Sequence, residues 1–167
     1  MKVIAVTGST GTGKTYISKI LSKEVGYSYI AISKLGRDIY SGYDKSRKTK
    51  IVDVNKMISE FKKLYKKYKG KNKKGIIFDT HLSHYLPKNL VDICLVLACD
   101  IKKLKKILEK RGYNNKKIRE NIDAEIFEVC YNEALGQGHK ILKIDTSKRL
   151  TKKAWKIILR KVNKFLA

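Results

Sequence analysis

The apolar run KVIAVT (2–7) passes without a break into GSTGTGKT (8–15), and no other stretch restricts the fold as much. Three glycines fall in positions 8–13, and Lys14 and Thr15 follow at once. The spacing is G-x-x-x-x-G-K-[ST], which carries a mechanism only where a strand precedes it and a helix follows. Both are predicted. Residues 2–7 read as a short buried strand. Residues 14–25 read as a helix with Ile17, Ile20, Leu21 and Val25 on one stripe and Gly26 as its stop. Glycines let such a loop wrap an anion with successive N–H groups pointing inward, and the helix adds the positive end of its dipole. Lys14 is then placed for the β- and γ-phosphates of a nucleotide, and the Thr15 hydroxyl for Mg²⁺. The alternative is a glycine-rich turn with no ligand.

The rest of the chain alternates short apolar strands with helices. Strands are predicted at 28–32, 75–79, 92–98 and 140–144. Helices are predicted at 33–40, about 54–68 (capped by Asp53), 101–110, about 115–135, and from a Thr151 cap to the end. The second of these turns Met57, Ile58, Phe61, Leu64 and Tyr65 inward. The fourth holds Ile118, Ile122, Ile126 and Val129 in register. The last points Ala154, Ile157, Ile158, Val162 and Phe165 at the core. GYDKSRK (42–48) reads as a polar loop. This order argues a single α/β domain over 1–167, with a parallel sheet covered on both faces.

The chain has 39 Lys and Arg against 15 Asp and Glu, a net charge of +24. Such a surface attracts polyanions, so RNA or a ribosomal particle is one partner class. A lysine-rich proteome, as in some thermophiles, is the other reading of the same number. Only six cations are arginine: Arg37, Arg47, Arg111, Arg119, Arg149 and Arg160. Where lysine is the default, arginine marks places that need a planar fork. Cys94, Cys99 and Cys130 form no CxxC pair and read as small buried hydrophobes in a reducing cytosol. No apolar run reaches membrane-spanning length, and the residues before the glycines are too few for a signal peptide.

Asp79 closes the apolar strand GIIFD, at the end that faces the ligand crevice of an open α/β sheet. It is a candidate for Mg²⁺, directly or through water, with capping of the next turn as its plain role. His81, two residues on, is a candidate to orient a phosphate or an attacking water, whereas His84 and His139 read as structural. Arg111 opens the basic stretch RGYNNKKIREN and can close over a triphosphate. Arg37 follows the second strand, where a second substrate's phosphate can sit.

Together, GSTGTGKT, Ser33-Lys-Leu-Gly-Arg37, GYD (42–44), IVD (51–53), DTH (79–81) and RGYNNKKIRENIDAEIF (111–127) resemble the adenylate kinases of the nuclear isoenzyme type, in their archaeal form. The resemblance runs from Val3 to about Asp145. It implies a three-layer P-loop fold with a five-stranded parallel sheet in the order 2-3-1-4-5, a small monophosphate-binding part at 31–54 and a short lid at 110–120. It places Gly11, Gly13, Lys14, Thr15, Tyr16 and Arg111 on ATP, Arg37 on the acceptor phosphate, and Asp79 and His81 as the Walker B-like pair. It implies an ATP:AMP phosphotransferase that also hydrolyses ATP, acting with Mg²⁺ on AMP or other nucleoside monophosphates. It further implies a cytoplasmic role in maturation of the small ribosomal subunit, with a small-subunit ribosomal protein as partner and rRNA as a further candidate. Thr10 stands where the family often has proline, Lys34 where an acid is common, and the lid carries no cysteine cluster. The rival readings are a ribosome-assembly ATPase with vestigial kinase activity and a P-loop kinase for another small acceptor.

Overall fold

Side-chain parity along β1 (Lys2–Thr7) sets the layers of the molecule. The computed structural model describes residues 1–167. Ile4 and Val6 point to one face of the sheet and meet Ile17 and Leu21 of α1 (Lys14–Val25) and Val162 of α6 (Lys152–Leu166). Val3 points to the other face, towards Met57 and Phe61 of α2 (Val54–Gly70). Ala5 points the same way and meets Ala134 of α5 (Val129–Gly136). Both faces are therefore covered, and the strands read as continuous apolar runs for that reason.

The remaining sheet strands are β2 (Ser28–Ala31), β5 (Gly75–Asp79), β6 (Ile93–Ala98) and β7 (Ile141–Asp145). All pairings in this sheet are parallel, in the order β2-β5-β1-β6-β7. With the short hairpin between β2 and β5 set aside, this is the expected 2-3-1-4-5. Two helices, α3 (Ile101–Lys110) and α4 (Asn115–Ile126), pack on each other through Leu104, Leu108 and Ile118 beside the phosphate loop. The Asp53 and Thr151 caps form as expected, accepting from the amides of Lys56 and Ala154.

Two glycines of the loop are needed by what surrounds them. Gly8 has φ +137°, and a Cβ there would lie 2.5 Å from the Leu97 carbonyl oxygen of β6. Gly11 has φ +97°, and a Cβ there would lie 2.8 Å from Leu104 of α3. The loop is thus pressed between the sheet and α3.

Four expectations are corrected. Residues 33–40 do not form a helix beyond one 3₁₀ turn at Ile32–Leu35. The stretch 42–48 is not a free loop: it forms the tip of an antiparallel hairpin, β3 (Tyr40–Asp44) with β4 (Thr49–Val52). Its strands are largely solvated, so no apolar period betrays them. The helix expected over 115–135 breaks at Phe127–Glu128, where Glu128 takes φ +49°. Ile118 must pack on α3 and Ala134 on β6, and the break lets one segment serve both. Ile126 is left exposed by it. On α6, Ile157 and Phe165 face solvent, and Trp155, Leu159 and Leu166 join Val162 and Ile158 against the sheet.

A buried polar chain ties the strand ends together. The Thr7 hydroxyl lies 2.7 Å from His84 Nδ1 and 3.1 Å from the His81 carbonyl oxygen. His84 Nε2 lies 2.9 Å from a Glu133 carboxylate oxygen of α5, and its carbonyl lies 2.7 Å from His139 Nε2. His84 and His139 are therefore structural, as read from sequence. Burial lowers the His84 pKa, with Glu133 opposing the shift and His139 adding to it.

Two measurements check this account. Phe61, fully buried against the ring of Phe78 at 4.9 Å between centroids, loses about 3–5 kcal/mol on Phe61→Ala in urea unfolding, whereas Ile157→Ser stays within about 0.5 kcal/mol. A histidine held neutral in the folded state contributes stability that is present above its unfolded pKa of about 6.5 and is lost as pH falls below it. The stability gap between the wild type and His84→Gln therefore narrows from pH 7 to pH 5. A constant gap contradicts a neutral His84.

Candidate active site

Register brings the polar residues to one point. Val6 of β1 pairs with Asp79, the last residue of β5. Asp79 shares side-chain parity with Ile77, which packs towards α1, so its carboxylate meets the first turn of that helix. The Thr15 hydroxyl donates to Asp79 Oδ2 at 2.7 Å, and the Tyr29 hydroxyl of β2 donates to the same oxygen at 2.9 Å. Tyr29 pairs with Ile77, one step back on the neighbouring strand, and leans forward to reach the carboxylate. Its phenol is pushed up to about 12, by burial first and then by the carboxylate it serves, so it stays a donor. Oδ1 of Asp79 accepts nothing from the protein, and a hydroxyl and a carboxylate now face one place. These are hard oxygen donors, few in number, which suits Mg²⁺ completed by phosphate oxygens and water.

The Lys14 ammonium turns back over the loop and donates to the carbonyls of Gly8 and Ser9 at 2.8 and 2.9 Å. Burial lowers its pKa, and the Asp79 charge opposes that shift. A desolvated cation held by two carbonyls gains from any phosphate that enters. Thr10, Gly11, Gly13, Lys14, Thr15, Tyr16, Lys19 and Arg111 line a cleft of about 450 Å³. The structure thus brings Gly11, Gly13, Lys14, Thr15, Tyr16 and Arg111 to one cleft, with Arg111 just past the end of α3.

His81 stands exposed beyond Asp79. Surrounding protein first, and then the Lys14, His84 and Lys117 charges, push its imidazole down to about 4, so the ring is neutral at pH 7. It can accept a proton or orient water. Arg37 is not in this cleft. It lines a separate open groove of about 420 Å³ with Tyr40, Ser41, Gly42, Tyr43 and Lys50 of the hairpin. Arg119 is solvated, 3.9 Å from Asp123. No group of three or more His, Cys, Asp or Glu side chains is placed to hold a metal, and the three cysteines are unpaired.

Three features of the site escape a reading of the sequence. The first is Tyr29, a strand residue whose role depends on its neighbour's register. The second is Lys117, whose charge reaches His81 from α4. The third is a second cavity of about 390 Å³, where Gly11, Gly13 and Tyr16 of the loop face Lys103, Ile107, Thr146, Lys148 and Arg149. Lys103 Nζ donates to the carbonyls of Thr146 and Ser147 at 2.9 Å, and the Thr146 hydroxyl lies 2.9 Å from the Thr12 carbonyl oxygen. A signal for this cavity does exist: DTSKR (145–149) follows the carboxyl end of a strand, where ligands of such sheets bind. Tyr16 is 63% exposed and lines both cavities, so its ring stands between them.

A family model described as an AAA domain matches residues 4–128. A putative adenylate kinase of Methanocaldococcus jannaschii is 38% identical over 148 residues, covering 87% of this chain and 77% of the relative. One of Thermococcus gammatolerans is 32% identical over 162 residues, covering 97% and 86%. The adenylate kinase isoenzyme 6 homolog FAP7 of Saccharomyces cerevisiae is 36% identical over 135 residues, covering 79% and 66%. Among solved structures, a deoxyadenosine kinase of M. mycoides with bound dATP superposes with a TM-score of 0.59 at 20% identity, covering 98% of this chain and 100% of that one. A sugar kinase of Janibacter gives 0.64 at 15%, covering 98% and 93%. At such identities the structures speak for the fold alone. The phosphate loop, the carboxylate beside it and the relatives agree: the chain belongs to the adenylate kinases of the isoenzyme 6 type, in their archaeal form, within the P-loop kinases.

Proposed function

We propose that the protein transfers the γ-phosphoryl group of MgATP to a nucleoside monophosphate, AMP first among them. The observation that carries this reading is the Thr15–Asp79 hydrogen bond beside Lys14, at a cleft that Arg111 also lines. Three relatives named as adenylate kinases support it. The loop amides and Lys14 hold the β- and γ-phosphates, and Tyr16 flanks the base in the neighbouring cavity. Thr15 and Asp79 hold Mg²⁺, which when bound offsets the charge of the phosphate oxygens. Tyr29 keeps the Asp79 carboxylate turned towards Thr15. Arg111, in the lid at 110–120, lies over the transferring group, where a cation lowers the barrier of a loose transition state. Arg37 and the hairpin, within the monophosphate-binding part at 31–54, form the acceptor side.

Hydrolysis of ATP is the second activity we propose, and its support is the exposure of His81. A neutral imidazole open to solvent beside the metal carboxylate is placed to orient water. A role on a ribosomal particle, with a small-subunit ribosomal protein or rRNA as partner, draws support from the distribution of charge. Residues 62–74 carry eight lysines and no acid, and residues 146–167 carry eight cations and no acid. These acid-free surfaces suit a polyanion-rich setting better than a uniform scatter of lysine would.

A coupled assay with MgATP, with and without AMP, that quantifies ADP, AMP and phosphate together tests the reading. Transfer is expected to yield two ADP per AMP consumed with little phosphate. Phosphate release at one rate regardless of AMP would overturn it in favour of an ATPase. Lys14→Ala is expected to lower transfer by about 10²–10³-fold while the protein still unfolds cooperatively. Near-normal turnover in that variant is incompatible with the assignment. His81→Ala is expected to reduce phosphate release more than transfer, because water, unlike a bound monophosphate, depends on that ring for its orientation. Equal loss of both would place His81 on the transferring group instead.

A further inference from the structure

Between the tip of the β3–β4 hairpin and the turn that opens α4 lies a cavity of about 280 Å³, lined by Arg47, Lys48, Gly112, Tyr113, Asn114 and Lys117. Three of these six residues are cations and none is an acid. Lys117 stands with its ammonium 4.1 Å from the Tyr113 ring centre, and its charge is felt at His81. Through Lys117 the cavity adjoins the side of the cleft on which His81 stands.

Two carboxylates, Glu120 and Asp44, meet Arg47 on the wall of this cavity. Arg47 donates through Nε to Glu120 Oε2 at 2.7 Å and through Nη2 to Glu120 Oε1 at 3.1 Å. Its remaining nitrogen, Nη1, donates to Asp44 Oδ2 at 2.6 Å. Asp44 is itself fixed by the Ser46 hydroxyl and the Arg47 amide, so the hairpin holds the guanidinium from its own side. Glu120 comes from α4, on the other side of the cavity. Two oxygens on the Nε–Nη2 edge is the geometry in which a guanidinium takes a phosphate.

We propose that this cavity is a phosphate-monoester subsite, in which Arg47 takes the acceptor's phosphate and Glu120 occupies the same edge of the guanidinium while the subsite is empty. The energetics favour the exchange. The Arg47 and Glu120 side chains are 46% and 37% exposed, and an ion pair that exposed contributes little net stability. A phosphate brings up to two charges against one, and Lys48 and Lys117 line the space it would enter. Lys116, whose charge already acts on Glu120, remains beside the displaced carboxylate. Asp44 keeps hold of Nη1 throughout, so the fork stays aimed. The assignment rests on the acceptor being a nucleoside monophosphate, and it adds Arg47 to Arg37 on that side.

A purely structural clasp between hairpin and lid predicts the opposite sign for one variant, which makes the two separable. AMP binding to the whole protein without ATP is measured by titration calorimetry for the wild type, Arg47→Ala and Glu120→Gln, with adenosine and inorganic phosphate as further ligands. Arg47→Ala is expected to weaken AMP about tenfold. Glu120→Gln is expected to tighten AMP several-fold, because the competing carboxylate is gone. Adenosine is expected to bind all three alike. Weakening by both variants makes the contact a clasp and overturns the subsite, as does no change in either or a parallel change with adenosine. If inorganic phosphate shows the same two opposite shifts and AMP does not, the subsite stands and its ligand is free phosphate. The transfer assay reads the other proposal separately. Opposite shifts in AMP binding with no transfer leave the subsite and overturn the kinase reading. Transfer with no such shifts does the reverse.

Discussion

The pairing of β1 with β5 in one register is the constraint on which the rest of the cleft depends. Val6 opposite Asp79 sets the carboxylate level with the start of the phosphate loop, and parity with Ile77 turns it towards α1. A slip of one residue would send Asp79 to the α2 face and bring Phe78 to Thr15. Such a slip would also bury a carboxylate among Met57, Phe61 and Leu86, which costs far more than a surface misplacement. The same register that buries Phe78 against Phe61 therefore aims Asp79 at Thr15. Packing and site are fixed by one alternation, and neither can drift without the other.

That coupling also decides how much of the molecule is legible in its sequence. The loop GSTGTGKT, Asp79 and the strand order are legible because each rests on local spacing or on a continuous apolar run. Tyr29 is not, because its role arises across the β2–β5 pairing, 50 residues away from Asp79 in sequence. The hairpin is hidden because largely solvated strands leave no period of two, and the break at Glu128 because a helical stripe continues through it in the sequence. The outward turn of Ile157 is a further case: an apolar residue near the edge of a stripe looks the same whichever side the sheet lies on. Local signals carry elements and their termini; contacts that cross between elements leave no mark on either one alone.

The electrostatics of the cleft follow from how sparingly acids are used. With 15 acids against 39 cations, each carboxylate close to the phosphate path has a partner that can be named. Asp79 serves Thr15 and Tyr29. Glu133 serves His84, and Asp44 and Glu120 share Arg47. Lys14, Lys117 and Arg111 meanwhile carry no salt bridge, so the cations nearest the phosphate path are those without an acidic partner. Such an arrangement lowers the cost of bringing a triphosphate into the cleft, because few existing pairs must break first. Desolvation by the surrounding protein is the first reason that His81 stays neutral, and the Lys14 and Lys117 charges add to it.

Water is the point on which the two proposed activities turn. Transfer needs the reacting phosphate screened from solvent, and in the proposed reading the screen is small: the turn at Arg111–Asn114 and the first turns of α4. The hairpin is joined to this screen by Arg47 on Glu120, by Asn114 Nδ2 donating to the Ser46 carbonyl at 2.8 Å and by Lys116 on the Ser46 hydroxyl at 3.1 Å. All of these contacts are exposed, so each is weak and quickly exchanged. On the proposed reading, a monophosphate that takes Arg47 replaces part of this bridge with itself and stands where water would otherwise enter. Without it, His81 faces a cleft held only by surface pairs. On that reading, a cleft built this way turns over phosphate to water or to an acceptor according to which of them fills the space beside His81, and the two proposed activities arise from one geometry.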